Sequence, residues 1–180
     1  MNEVSSRSES VDRIVNQWAK ERVDLAHLLP TVELVGRLLG TAYKIDKLGK
    51  ETLQPHGLRQ TDFDLLACLR RNGKPYQLTP NDLLKDMYIT TGGLTACSNR
   101  LIKKGLIERH IATEDKRSRV IKLTPQGLEL VNQLAEERFT LAERIACHLT
   151  TDEQTSMLTL LRAWSDRLDE EQTTLAPPFD

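Results

Sequence analysis

A chain of 180 residues with a formal net charge of -1 is long enough for one domain with a real core, or for a compact domain carrying long helical extensions, and it holds no apolar run able to span a bilayer. Three widely spaced cysteines (Cys68, Cys97, Cys147) without a C-x-x-C pair, and four scattered histidines (His27, His56, His110, His148), argue against a disulfide framework or a zinc site, so no metal or cofactor is expected. The opening MNEVSSRSES lacks an apolar signal-peptide core, which predicts a cytoplasmic chain with no membrane partner.

The near-zero net charge hides an uneven distribution. Residues 1–89 carry 13 basic and 12 acidic side chains, residues 90–122 carry 8 and 3, and residues 123–180 carry 4 and 11. A basic segment inside a neutral or acidic chain suits a polyanion-binding face, although ordinary solvated lysines on a hairpin would give the same count.

The predicted elements are mostly helical. From Ser10 to about His27, Val11, Ile14, Val15 and Trp18 share one face of a short amphipathic helix. Pro30 opens a longer pattern in which Val32, Val35, Leu38, Leu39, Ala42, Ile45 and Leu48 recur at helical spacing until Pro55 and Gly57 stop it. Thr61 with Asp64 makes a capping-box-like start for the next helix, whose core face is Phe63, Leu66, Ala67 and Leu69 and which Asn72 and Gly73 end. Thr79, Pro80 and Asp82 supply an N-cap, a first-turn proline and a dipole-complementing acid for a short helix to about Tyr88.

The stretch from Thr90 to Thr124 follows. Leu94, Cys97 and Leu101 fall on one side of a helix, and Thr91, Thr95, Ser98 and Asn99 are placed on the other. After Gly105 the period switches to 2, with Ile107, Arg109 and Ile111 alternating with Glu108 and His110 before a polar run and VIKLT, which predicts a β-hairpin. Thr124 and Pro125 then cap a long helix through Leu149. Thr150 with Glu153, or Thr151 with Gln154, opens a last one with the stripe Met157, Leu160, Leu161, Trp164 and Leu168.

Helices in quick succession, the last two joined by a tight turn and followed by a two-stranded wing, predict a winged helix-turn-helix. The fold class is therefore mainly α with a small β-hairpin wing: N-terminal helices over 1–57, the winged domain over 58–124, and C-terminal dimerisation helices over 125–180. The long seams at both ends have too little of their own domain to bury against, so a homodimer is expected, the alternative being helices folded back into a larger monomer. Two-fold symmetry also suits palindromic double-stranded DNA, because paired recognition helices meet successive major grooves.

Roles follow from residue chemistry. Thr90 or Thr91 caps the recognition helix, and Gly92 and Gly93 let free backbone N–H groups approach a phosphate. Thr95, Ser98 and Asn99 are candidates for base edges, with asparagine suited to adenine. Arg100, Lys103 and Lys104 are expected on phosphates or local carboxylates, and Lys116 and Arg119 on phosphates from the wing. No phosphate loop, paired-acid cluster or nucleophile elbow is present, so an enzyme is not expected.

The wing DKRSRVIKLTPQG, from Asp115 to Gly127, resembles the wing signature of the MarR family, in which D-x-R precedes a short strand ending in L-T-x-x-G. TTGGLT, RL and KKGLIER fit the same family's recognition helix and first wing strand, and the similarity covers roughly Leu34 to Leu168. The resemblance implies a homodimeric transcriptional regulator on palindromic operators, often a repressor released by a small-molecule effector. It also implies that Arg117 enters the minor groove and that Asp115 orients it.

The N-terminal VDRIVNQWAKERVDL and VELVGRLL look like the urate-responsive branch of that family, which adds a helix before the usual first one. There a Trp, an Asp, a recognition-helix Arg and a wing-strand Arg surround the ligand. Trp18, Asp64 and Arg109 match three of these, whereas Cys97 stands at the recognition-helix arginine, removing a charge-assisted donor for an anionic purine. Cys97 can also be read as a thiol sensor, but its neighbours Leu94 and Leu101 favour a buried, inert position. Two further alternatives stand beside a ligand-released regulator: a cysteine-based redox regulator, and a winged-helix protein-assembly module that does not read DNA.

Overall fold

The computed structural model describes residues 5–111 and 119–175. Residues up to Arg138 form one compact unit and those from Phe139 a second.

The first unit begins with α1 (Ser5–Glu21). The expected helix to His27 stops earlier, because Arg22 adopts φ -132°, ψ 67° and the chain re-forms as a 3-10 turn over Val23–Leu28. The Arg22 guanidinium then pairs with Asp24 at 2.7 Å. α2 (Leu29–Leu53), with Pro30 in its first turn, runs into a 3-10 turn over Gln54–His56 that Gly57 closes with a left-handed φ of 59°. Arg37 on α2 reaches Asp12 on α1 and Glu33 one turn back, which ties the two helices together.

α3 (Gln60–Arg71) starts earlier than the Thr61 and Asp64 pair suggested. The working cap is Asp62, whose carboxylate accepts the Arg59 N–H at 3.0 Å, while Asp64 lies two residues further in and accepts from Gln60 Nε2 at 2.8 Å. An acid at the third helical position answers the exposed N–H groups and the positive end of the helix dipole. Asn72 closes α3 and Gly73 turns the chain with φ 78°.

β1 (Gln77–Leu78) precedes α4 (Pro80–Asp86), which Thr79 caps by accepting the Asp82 N–H at 3.2 Å. α5 (Thr91–Lys103) is capped in the same way, with Thr90 accepting the Gly93 N–H at 3.1 Å. β2 (Ile107–Ile111) and β3 (Arg119–Leu123) pair antiparallel, with Arg109 opposite Ile121 and Ile111 opposite Arg119. The sheet has three strands rather than the expected two, in the order β1-β3-β2, because Gln77 and Leu78 pair with Lys122 and Ile121.

Leu65, Leu66 and Leu69 of α3, Leu83 of α4, Leu94 and Leu101 of α5, and Ile107, Ile121 and Leu123 of the sheet form one core, closed by Val131 and Leu134. The last two belong to α6 (Pro125–Ala146), which Thr124 caps by accepting the Gly127 N–H at 3.0 Å. Arg138 of α6 lies over the Phe63 ring at 5.3 Å and against Gly49 of α2, where a Cβ would stand 2.1 Å from its Nη1.

The second unit holds the end of α6 and α7 (Thr151–Leu175). Of the two starts the sequence allowed, the Thr150 and Glu153 box forms: Glu153 accepts the Thr150 N–H at 2.8 Å and Thr150 Oγ accepts the Glu153 N–H at 3.3 Å. Gln154 Nε2 donates to Ala146 and Leu149 carbonyls, each at 3.0 Å, holding the turn between the helices. Among the described residues no helix is long and apolar enough to cross a membrane.

Candidate nucleic-acid interface

α5 is held from behind and bare in front. Leu94, Cys97 and Leu101 are buried, as their spacing predicts, while Thr91, Gly92, Thr95, Ala96, Asn99, Ile102 and Lys103 are exposed. Thr95 Oγ1 donates to the Thr91 carbonyl at 3.0 Å, which fixes its rotamer along the helix. Thr90, as the cap, leaves the first N–H groups of α5 open toward solvent beside Gly92, a geometry that favours an anion.

Ser98 departs from its expected place. It is 1% exposed and its Oγ has no hydrogen-bond partner among the described residues, so it is a packing residue and not a reader of base edges. Leu94, Cys97, Ser98 and Leu101 stand at i, i+3, i+4 and i+7, which is the full width of a buried helical stripe. Ala96 holds the exposed position between Gly92 and Asn99 instead, and its methyl can meet a thymine methyl.

Arg100 also faces inward. Its Nη2 lies 2.6 Å from Asp62 Oδ1, its Nε lies 3.1 Å from the same atom, and Thr61 Oγ1 is 3.4 Å from Nη2. Of the two partners foreseen, the local carboxylate holds it, so Arg100 is not free for a phosphate. The signal for Asp62 in the sequence is an acid three residues after Arg59, which competes with the equally spaced Thr61 and Asp64. Lys103 stays exposed at the end of the helix.

Cys97 completes this buried junction, its thiol donating to Asp62 Oδ1 at 3.2 Å and to the Thr61 carbonyl at 3.3 Å. Burial pushes the Cys97 thiol up to about 12, with the hydrogen bond to Asp62 and the nearby carboxylate charge acting in the same direction. A thiol of that kind is not a nucleophile at neutral pH. Burial also pushes the Asp62 carboxyl up, but hydrogen bonds from Arg100, the Arg59 N–H and Cys97 together outweigh it and hold the group below its ordinary value.

Arg109 on β2 is exposed, and its Nη2 donates to Asn99 Oδ1 at 3.0 Å. This bond uses one of the two lone pairs of Asn99 Oδ1 and leaves its amide N–H groups as donors. It also ties Arg109 to the exposed face of α5. None of the described hydrogen bonds or ion pairs joins Trp18, Asp64 and Arg109. Trp18 is 50% exposed on α1, and Asp64 is half-buried on α3, where desolvation pushes its carboxyl above the ordinary value against the charges of Arg138 and Arg71.

A cleft of about 1010 Å³ opens beside the junction, lined by Lys47, Lys50 and Glu51 of α2, by Gln54 just after it, and by Arg59, Gln60 and Thr61 at the start of α3. Arg119 stands exposed at the start of β3, whereas Asp115, Lys116 and Arg117 lie outside the described residues.

Three helices with α5 second in a tight pair, followed by an antiparallel sheet, define this unit as a winged helix-turn-helix domain. A MarR family model matches residues 58–118, which span α3 to the wing. The chain is 31% identical over 156 residues to the HTH-type transcriptional regulator PecS of Dickeya dadantii, covering 87% of this chain and 93% of that protein. The chain belongs to the MarR family of transcriptional regulators, which are not enzymes. Among solved structures, a MarR mutant from Escherichia coli complexed with operator DNA matches with 30% identity and a TM-score of 0.61, over 77% of this chain and 96% of that one. Bordetella bronchiseptica BpsR, from a structure describing regulation of its DNA binding by 6-hydroxynicotinic acid, matches with 26% identity and a TM-score of 0.63, over 73% and 93%.

Proposed function

We propose that this regulator is a homodimer that binds palindromic double-stranded DNA through α5 and the wing, as a repressor released by a small anionic or aromatic ligand. The observation that carries the reading is the exposed polar face of α5, with Thr91, Thr95, Asn99 and Lys103 presented on a helix whose opposite face is locked into the core. In this reading Thr90, Thr91 and Gly92 approach a phosphate, and Thr95 and Asn99 meet base edges. Lys103, Lys116 and Arg119 lie along phosphates, and Arg117, oriented by Asp115, reaches into the minor groove. The operator-DNA complex of the E. coli relative supports the same use of the fold.

The redox alternative is disfavoured by the buried Cys97 thiol with its raised pKa. A protein-assembly module would leave the local basic charge of residues 90–122 without a role. For the effector, Trp18 and Asp64 are the proposed contacts, and the aromatic acid that regulates BpsR is the model for its chemistry.

One binding format tests both halves. Affinity for a palindromic duplex selected in vitro should fall steeply with salt, and Arg117→Ala should weaken it by about tenfold or more. Equal binding to palindromic and random duplexes at every salt would remove the reading. Adding urate or 6-hydroxynicotinate should release the wild type, while Trp18→Phe and Asp64→Ala should bind DNA normally and resist release. If both variants are released like the wild type, the effector binds elsewhere.

A further inference from the structure

We propose that Tyr88 contacts DNA, its phenol meeting the sugar-phosphate backbone at the edge of the major groove that α5 enters; this rests on the DNA-binding reading above. Tyr88 stands in the turn between α4 and α5, two residues before the Thr90 cap. Its neighbours alternate inward: Met87 is 8% exposed, and Ile89 packs so closely under α5 that a Cβ on Gly93 would lie 2.7 Å from its Cγ1. The backbone on either side is pinned, with the Met87 N–H on the Leu83 carbonyl at 3.0 Å and the Ile89 N–H on the Met87 carbonyl at 2.8 Å.

Between these anchors Tyr88 is 112% exposed, beyond what an extended peptide would show. A large aromatic ring held outward on a rigid turn gains nothing in the free protein, whereas a partner that buries its face and bonds its hydroxyl uses both of its properties. The partner is fixed by position. The open N–H groups at the start of α5 call for an anionic group at the same end of the helix. In a helix-turn-helix the recognition helix points its first residues at base edges, while the residues that flank its entry lie along the backbone. A phenol is a neutral donor to a phosphate oxygen, and its ring can lie against deoxyribose.

The experiment compares wild type, Tyr88→Phe and Tyr88→Ala on the selected palindromic duplex and on a random duplex of equal length, each across a salt titration. Tyr88→Phe should weaken both by about three- to tenfold, and Tyr88→Ala more. The ratio between duplexes should not change, the salt slope should stay that of the wild type because a neutral donor displaces no counterion, and Tm should be unmoved. Wild-type affinity in both variants would overturn the assignment. A loss confined to the palindromic duplex would overturn it too, by making Tyr88 a reader of bases. If the wild type binds neither duplex, the DNA-binding reading falls and this one with it; if the wild type binds and the variants match it, only this one falls.

Discussion

Asp62 does two jobs with one carboxylate. It caps α3 by accepting the Arg59 N–H, and it receives the Arg100 guanidinium and the Cys97 thiol from α5. The start of α3 and the back of the recognition helix are therefore fixed to the same atoms. Removing the charge leaves a cap weakened and a guanidinium without its partner, which should destabilise the domain by about 2 kcal/mol in Asp62→Asn. The pH dependence has a definite sign. A carboxyl whose folded pKa lies below its unfolded value stabilises the fold fully above the unfolded value and loses that contribution as pH falls through the folded one. The stability gap between wild type and Asp62→Asn, read from urea unfolding, should thus be constant above about pH 5 and shrink below about pH 4. A gap that does not change with acid would show that the carboxylate's charge contributes nothing. The same residues show how sequence reading goes astray at this scale: Asp62 and Asp64 share a type and a neighbourhood, and only the start of the helix decides which one caps. Ser98 is a polar side chain inside the buried stripe, and its spacing from Leu94 and Leu101, not its polarity, is the signal that places it there.

Among the elements, those whose start is encoded locally were legible. Thr79, Thr90, Thr124 and Thr150 each accept a first-turn N–H three residues on, from Asp82, Gly93, Gly127 and Glu153, and each forms a cap. β1 was not legible, because two residues carry no period and their pairing is supplied by β3, more than forty positions along the chain. The L-T-x-x-G exit from the wing has a specific physical basis. Thr124 bonds the Gly105 carbonyl at 2.7 Å and caps α6, and Gly127 passes so close to the residue before β2 that a Cβ would sit 1.9 Å from the Leu106 carbonyl oxygen. The obstacle is backbone on both sides, so neither can give way by a rotamer change. Gly127→Ala should therefore cost about 2–4 kcal/mol despite its gain in helix propensity, and a thermal melt should show a lower Tm. Gly40→Ala, where a Cβ would meet nothing within 4 Å, is the control and should be neutral or stabilising. Equal melting temperatures for the two would mean that α6 does not approach the wing as closely as this.

For the whole molecule, the question is what covers the apolar side chains left in the open. On α2, Leu34 and Leu39 are 56% and 64% exposed, and on α7 Leu160 is 71% exposed beside Met157 and Leu161, although both helices carry the regular stripes read from the sequence. The stripes could be seen in the sequence but their partner could not, since periodicity says that a face is buried without saying by which chain. The proposed second copy covers them, and each buried leucine would then contribute about 2 kcal/mol, twice over by symmetry. Leu160→Glu removes that contribution and sets two carboxylates against an apolar face, so it should shift the protein from dimer to monomer in sedimentation at micromolar concentration. The winged unit lies within the residues up to Arg138 and α7 outside them, so the variant should retain the helical circular dichroism of that unit. It should lose its preference for the palindromic duplex and retain weak binding to any duplex, because one α5 still meets one groove when the second is no longer held a helical turn away. A variant that sediments as the wild type but melts earlier would place the cover for Leu160 within its own chain.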